Sequence, residues 1–124
     1  MRHCLVVDDS RLVRKIAGVL VEELGFIVMQ AGNAVEALDC CRKRMPEVIL
    51  LDADLPDNGA LTFMTSLRRE RSGSKPTIVI CIAEKDMQQI TQAGMAGANT
   101  YLLKPLDART IRAKFAKVGL AVSC

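Results

Sequence analysis

The chain has 124 residues, of which 50% are hydrophobic and 25% charged, the ordinary balance of one folded globular domain. Seventeen Lys and Arg against fourteen Asp and Glu leave a net charge of +3, too mild to demand nucleic acid, and one Tyr with no Trp leaves no platform for stacking bases. Disorder is excluded by the composition, and a membrane span by the lack of any apolar run near the roughly 20 residues it needs.

In chain order, residues 4–7 form a short apolar run stopped by Asp8-Asp9, a buried strand followed by a polar loop. Leu12, Val13, Ile16, Ala17, Leu20 and Leu24 recur at helical spacing and predict a first helix, ended by Gly25. Residues 26–30 read as a second strand. Asn33 with Glu36 three positions on has the form of a capped helix start, and that helix stops before Pro46. Residues 48–51 are four β-formers in a row, a third strand covered on both faces. A helix over 61–67, a turn over 72–76 and a fourth strand over Thr77–Ile82 follow. A weak helix from about Asp86 to Met95, a fifth strand over Thr100–Leu103 and a helix capped by Asp107 complete the pattern. This last helix runs through Ile111, Phe115 and Val118.

Five strands alternating with five helices imply an α/β fold, a doubly wound parallel sheet with helices on both faces. No linker or repeat interrupts it, so one domain over residues 1–124 is expected, with no room for an output domain. The start, Met1-Arg2-His3-Cys4, has no secretory character, and the odd set Cys4, Cys40, Cys41, Cys81 and Cys124 contains no CxxC pair. Free thiols in a cytoplasmic location are expected.

In such a fold ligands bind beyond the carboxyl ends of the strands. The first strand ends in Asp8-Asp9, the third in Asp52, the fourth in Ile82-Ala83-Glu84 and the fifth in Lys104-Pro105. Any one acid there is explained by a helix cap or turn, and Asp9 alone could cap the first helix. Three carboxylates converging on one crevice are different, because unit charges 4 Å apart repel by about 4 kcal/mol at an effective dielectric of 20. Lys104 neutralises one of them, and a hard divalent ion such as Mg²⁺ suits the rest.

The ordered set Asp8-Asp9-Ser10, Asp52 with Pro56 four residues on, and Lys104-Pro105 resembles the receiver domain of two-component response regulators over essentially the whole chain. The stretch from Val7 to Phe26 and the segment from Ala93-Gly94 to Lys104-Pro105 look most like the stand-alone chemotaxis regulators of the CheY type. The resemblance implies a flavodoxin-like sheet of order 2-1-3-4-5 and a phosphoacceptor role for Asp52, supplied by a sensor histidine kinase or histidine phosphotransfer protein. It implies Mg²⁺ held by Asp9, Asp52 and the backbone carbonyl of Asp54, with Asp8 acting through a water. Lys104 would hold a phosphoryl oxygen, the bond to Pro105 would be cis, and the small Ala83 would keep the site open. The first helix, with Arg11, Arg14 and Lys15, would meet the phosphodonor. The fourth helix, fifth strand and fifth helix, with Tyr101 at their centre, would meet an unknown protein target; neither nucleic acid nor membrane is expected as a partner.

Two positions depart from the family. A Ser or Thr is usual twenty-two residues before the lysine, where this chain has Ile82, so the hydroxyl that would draw Tyr101 inward is missing and weakened switching is expected. Gly59-Ala60 stands where Asp-Gly is common. A pseudo-receiver or phosphate sink is therefore an alternative, supported by Ile82 and opposed by the intact acids and Lys104. A haloacid-dehalogenase-like phosphatase, with Asp52 as nucleophile and Asp54 as acid, leaves Asp8-Asp9 unexplained. A flavodoxin-like cofactor binder would place that acidic pair against a phosphate, which it repels.

Overall fold

The computed structural model describes residues 2–120 and residue 122. Strands β1 (His3–Val7), β2 (Ile27–Ala31), β3 (Val48–Asp52), β4 (Thr77–Ile82) and β5 (Thr100–Leu103) form one parallel sheet of order β2-β1-β3-β4-β5. Between and after them run α1 (Arg11–Glu22), α2 (Ala34–Lys43), α3 (Gly59–Arg69), α4 (Met87–Ala96) and α5 (Ala108–Lys117). This is the doubly wound flavodoxin-like arrangement. Its order reverses at β1, and β1 and β3 lie side by side, Val7 opposite Leu51, which brings Asp8 and Asp52 to neighbouring strand ends.

β3 is buried at all five positions because helices cover both its faces, so its sequence, Val-Ile-Leu-Leu, shows no alternation. Under α2, α3 and α4 the sheet presents Leu5, Val7, Ile49, Leu51, Ile78, Ile80 and Ile82 around Phe63. Under α1 and α5 it presents Cys4, Val6, Leu50, Val79 and Cys81, closed by Phe26 and Phe115 in edge-to-face contact at 5.4 Å. Burying each such Leu, Ile or Phe contributes about 1.5–3 kcal/mol, so the two layers hold the strand ends rigidly.

Three elements differ from the sequence reading. β2 begins one residue late, since the Phe26 N–H donates back to the Val21 carbonyl at 3.4 Å, while its side chain packs in the α1–α5 layer. α3 starts at Gly59, after a 3-10 turn over Pro56–Asn58 in which Asp57 and Asn58 both take left-handed backbone angles, φ 59° and 55°. Along α1 the apolar set divides. Ala17, Val21 and Leu24 are buried, while Leu12 is 67% exposed and Ile16 and Val19 are each 50% exposed, one turn apart on the outer face.

Candidate functional site

The site sits where β1, β3 and β5 end. Asp8 is tied to the neighbouring strand by its N–H, which donates to the Ala31 carbonyl at 3.1 Å. Its Oδ1 accepts the Ser10 N–H at 2.9 Å, and Ser10 Oγ in turn accepts the Val13 N–H at 3.2 Å. Ser10, not Asp9, therefore caps α1. Asp9 is left free of capping and projects to the exposed side of the crevice. The acid pair thus splits its labour: Asp8 is buried and bonded, Asp9 is open.

Asp52, the last residue of β3, is equally buried. Its Oδ1 accepts the Asp54 N–H at 3.0 Å and Lys104 Nζ at 2.8 Å. The same ammonium reaches Asp8 Oδ2 at 3.3 Å, so Lys104 bridges the two buried carboxylates. Carboxylate oxygens of Asp8, Asp9 and Asp52 all lie within 4.8 Å of one another. One ammonium cannot balance three charges at that spacing. Oxygen-only donors in this number, open to solvent at Asp9, suit a small hard divalent cation that keeps some of its waters. The cluster can coordinate a divalent metal.

The electrostatics record the strain. Burial pushes the Asp8 carboxyl above its ordinary value; the Asp52 charge adds to this, and the Ser10 N–H and Lys104 offset only part. Burial works against the Lys104 ammonium, but its bonds and charge contacts with Asp52 and Asp8 outweigh that and raise its pKa. Cys81, buried beside the cluster, is pushed up to about 12 by burial and stays a neutral thiol.

The remaining predicted positions surround the cluster. Asp54 is exposed and is placed through its N–H bond to Asp52. The Lys104–Pro105 peptide is cis, and the Lys104 N–H donates to the Ile82 carbonyl at 2.8 Å. Ala83 is exposed and lines an apolar recess of about 360 Å³ with Val13, Ile16, Pro105 and Leu106, Lys104 at its edge. Ile82 is fully buried, facing the α3–α4 layer with Ile80, and Tyr101 packs against that same layer. Tyr101 is outside the acid cluster, with Lys114 Nζ 5.0 Å from its ring centroid. Alternation along β4 sends Cys81 to the opposite face from Ile82, so it supplies no substitute donor there. Sequence reasoning missed what Arg14 does: its Nη1 donates to the Asp8 carbonyl at 2.7 Å. The only trace in the sequence was its place on the first turn after the Ser10 cap.

A family profile described as "Response regulator receiver domain" matches residues 4–116. The chain is 28% identical over 115 residues to chemotaxis protein CheY-3 of Vibrio cholerae, covering 92% of this chain and 88% of that protein. Among solved structures it resembles chemotaxis response regulator CheY4 of Vibrio cholerae, with TM-score 0.88 and 24% identity over 95% of this chain and 98% of that one. The receiver domain of Ssk1 from Saccharomyces cerevisiae, solved with the histidine phosphotransfer protein Ypd1, superposes with TM-score 0.83 and 21% identity, over 95% and 88% of the two chains. The profile spans nearly the whole chain and takes in all four residues that meet at the strand ends, and the chain belongs to the response regulator receiver family.

Proposed function

We propose that Asp52 accepts a phosphoryl group from a phosphohistidine and that the chain signals by protein contact. The observation that carries this is Lys104 Nζ bridging Asp52 and Asp8 within a triad of carboxylates whose oxygens lie within 4.8 Å of one another. An Asp52 oxygen attacks phosphorus, the P–N bond breaks, and the imidazole leaves with the electron pair. Both protein bonds to Asp52 fall on Oδ1, which holds the carboxylate in one orientation. Lys104 is placed to shift from the carboxylates to the incoming phosphoryl oxygens. In phosphoryl transfer, this kind of positioning and charge balance supplies most of the catalysis. Asp9, Asp52 and the Asp54 carbonyl would hold Mg²⁺, with Asp8 acting through water. The ion would offset the charge on the phosphoryl oxygens. The domain is then a phosphoacceptor and signalling module, not an enzyme with turnover on a separate substrate.

A histidine kinase or histidine phosphotransfer protein is the phosphodonor class that the family and the Ssk1 likeness support. Its docking face is read as α1, whose Leu12, Ile16 and Val19 form an exposed apolar stripe continuous through Ile16 with the recess at Ala83 and Pro105. The target face is read as α4, β5 and α5, where Met87 and Met95 on α4 and Leu103 on β5 are exposed and Tyr101 lies on β5. A chemotaxis-type role, with the chain acting as a receiver domain, is supported by the CheY-3 likeness.

A second reading rests on Ile82. With an apolar, fully buried side chain at the end of β4, a phosphoryl group at Asp52 gains no hydroxyl donor from this position. The chain would accept phosphate yet respond weakly to it, as a phosphate sink or constitutive binder. The test is incorporation of phosphate from a small phosphodonor such as phosphoramidate, with and without Mg²⁺. The unaltered chain is expected to take up one phosphate only with Mg²⁺, and Asp52→Asn none; uptake by Asp52→Asn at the full level would refute the assignment.

A further inference from the structure

We propose that Arg14 is a positioning residue for the divalent cation: it fixes the backbone from which Asp8 and Asp9 are presented. This rests on the reading that those two residues, with Asp52, hold the ion. Asp9 is exposed, and its backbone fixes the Cα–Cβ direction from which its carboxylate, turning about χ1 and χ2, reaches the ion. That backbone is held on one side by the Asp8 N–H bonded to Ala31 and the Ser10 N–H bonded to Asp8 Oδ1. The third hold is Arg14 Nη1 on the Asp8 carbonyl, at 2.7 Å the shortest of the three and charge-assisted. Because the peptide is planar, fixing that carbonyl fixes the plane in which the chain enters Asp9.

The guanidinium is itself held. Its Nε donates to Gln30 Oε1 at 3.3 Å, on β2, while the Arg14 N–H is bonded to the Ser10 carbonyl at 3.0 Å. Gly32 makes room for it: a Cβ there would lie 3.2 Å from Arg14 Nη1 and 3.2 Å from Glu36 Oε1, which accepts the Gly32 N–H at 2.7 Å. Arg14 thus fastens the end of β1 to β2 beside the β2–α2 turn, one residue from the exposed ligand.

The sign of the effect separates positioning from charge. As a bare cation near three carboxylates, Arg14 competes with a metal, and its removal should tighten binding. As the anchor of the Asp8–Asp9 backbone, its removal should loosen binding, by the roughly tenfold to hundredfold seen when groups that orient metal ligands are lost. The experiment is a titration of the metal-free chain with Mg²⁺ alone, followed by amide chemical shifts of residues 8–10 and 52–54. It is run at a temperature where thermal unfolding shows every variant folded. Arg14→Met is expected to bind at least about tenfold more weakly. Arg14→Lys keeps the charge but cannot span Asp8 and Gln30 together, and is expected to bind severalfold more weakly; it decides the matter should Arg14→Met not fold. Either variant binding as tightly as the unaltered chain, or more tightly, overturns the proposal while leaving the metal site intact. Absence of Mg²⁺ binding by the unaltered chain overturns both.

Discussion

Asp8 carries the electrostatic cost of the site. Burial, with the Asp52 charge added, raises its pKa above the ordinary 3.8 even after Ser10 and Lys104 have helped. The folded chain therefore holds this proton more tightly than the unfolded chain. In the window that opens at 3.8 the native state binds more protons, so this residue's contribution to stability falls as pH rises. In metal-free protein at pH 7, Asp8→Asn is expected to raise the melting temperature by a few degrees, with the gain shrinking toward pH 4. A lower melting temperature at pH 7 would contradict this. Lys104 has a linkage of the same sign in a higher pH window: its raised pKa gives stability that is full below its ordinary 10.5 and is lost as pH climbs through the folded value. Lys104→Ala leaves the buried carboxylates unbalanced, and its cost should be largest without Mg²⁺ and shrink when millimolar Mg²⁺ is added, as calorimetry with and without the ion would show.

Between elements, the joints were least legible in the sequence. Arg68, at the end of α3, donates through Nη1 to the carbonyls of Gly73 and Pro76, and through Nε and Nη2 to that of Gly97. Nη2 also reaches Asn99 Oδ1, which accepts the Ile78 N–H at 2.7 Å. One side chain thereby ties the α3–β4 loop to the α4–β5 turn. Gly97, at φ 129°, permits this, since a Cβ there would lie 2.8 Å from the Arg68 stem. Replacing Arg68 with Met strands several carbonyls and should cost about 3 kcal/mol, a drop on the order of 10 °C in melting temperature. A change under about 2 °C would show water serving equally well. At the start of α3, Asn58→Gly should be neutral or stabilising and Asn58→Ala cost about 1 kcal/mol, because Asn tolerates the left-handed angle better than Ala does. None of this had a sequence signature: backbone carbonyls as acceptors carry no side-chain pattern, and Asp57-Asn58 reads equally well as an ordinary turn. The strands were legible because unbroken runs such as Val48–Leu51 fit nothing else of that length, and the acids because they stopped those runs. The first helix was legible as a helix but not in which face it buried. Leu12 and Ile16 share the helical spacing of Ala17 and Val21, and only the neighbouring layers decide between them.

Across the whole molecule, the question is whether an event at Asp52 reaches the face around Tyr101. The path lies along β4 and β5, where Ile80 pairs with Tyr101 and Ile82 with Leu103. Ile82 packs in the α3–α4 layer that Tyr101 also borders, so the end of β4 is filled by hydrocarbon instead of a group able to follow a phosphoryl oxygen. Its branched Cβ also keeps it stiff. A hydroxyl bonded to a phosphoryl group is worth about 1.5–3 kcal/mol. A ligand shifts a two-state equilibrium only by what it gains in one state over the other. Without that bond, the population shift on phosphorylation should be roughly tenfold to hundredfold smaller. The phosphotransfer proposed at Asp52 draws on the acids, Mg²⁺ and Lys104 and not on residue 82, so uptake of phosphate should survive. The chain holds one Tyr and no Trp, so its intrinsic emission reports Tyr101 alone. Beryllofluoride with Mg²⁺ should change that emission little in the unaltered chain. In Ile82→Thr, which should cost about 1–2 kcal/mol of stability for the buried hydroxyl, the same addition should produce a clearly larger change. A full response in the unaltered chain would mean that Tyr101 is driven by another route, through Lys104 and the β5–α5 loop, and that Ile82 does not uncouple the two ends of the molecule.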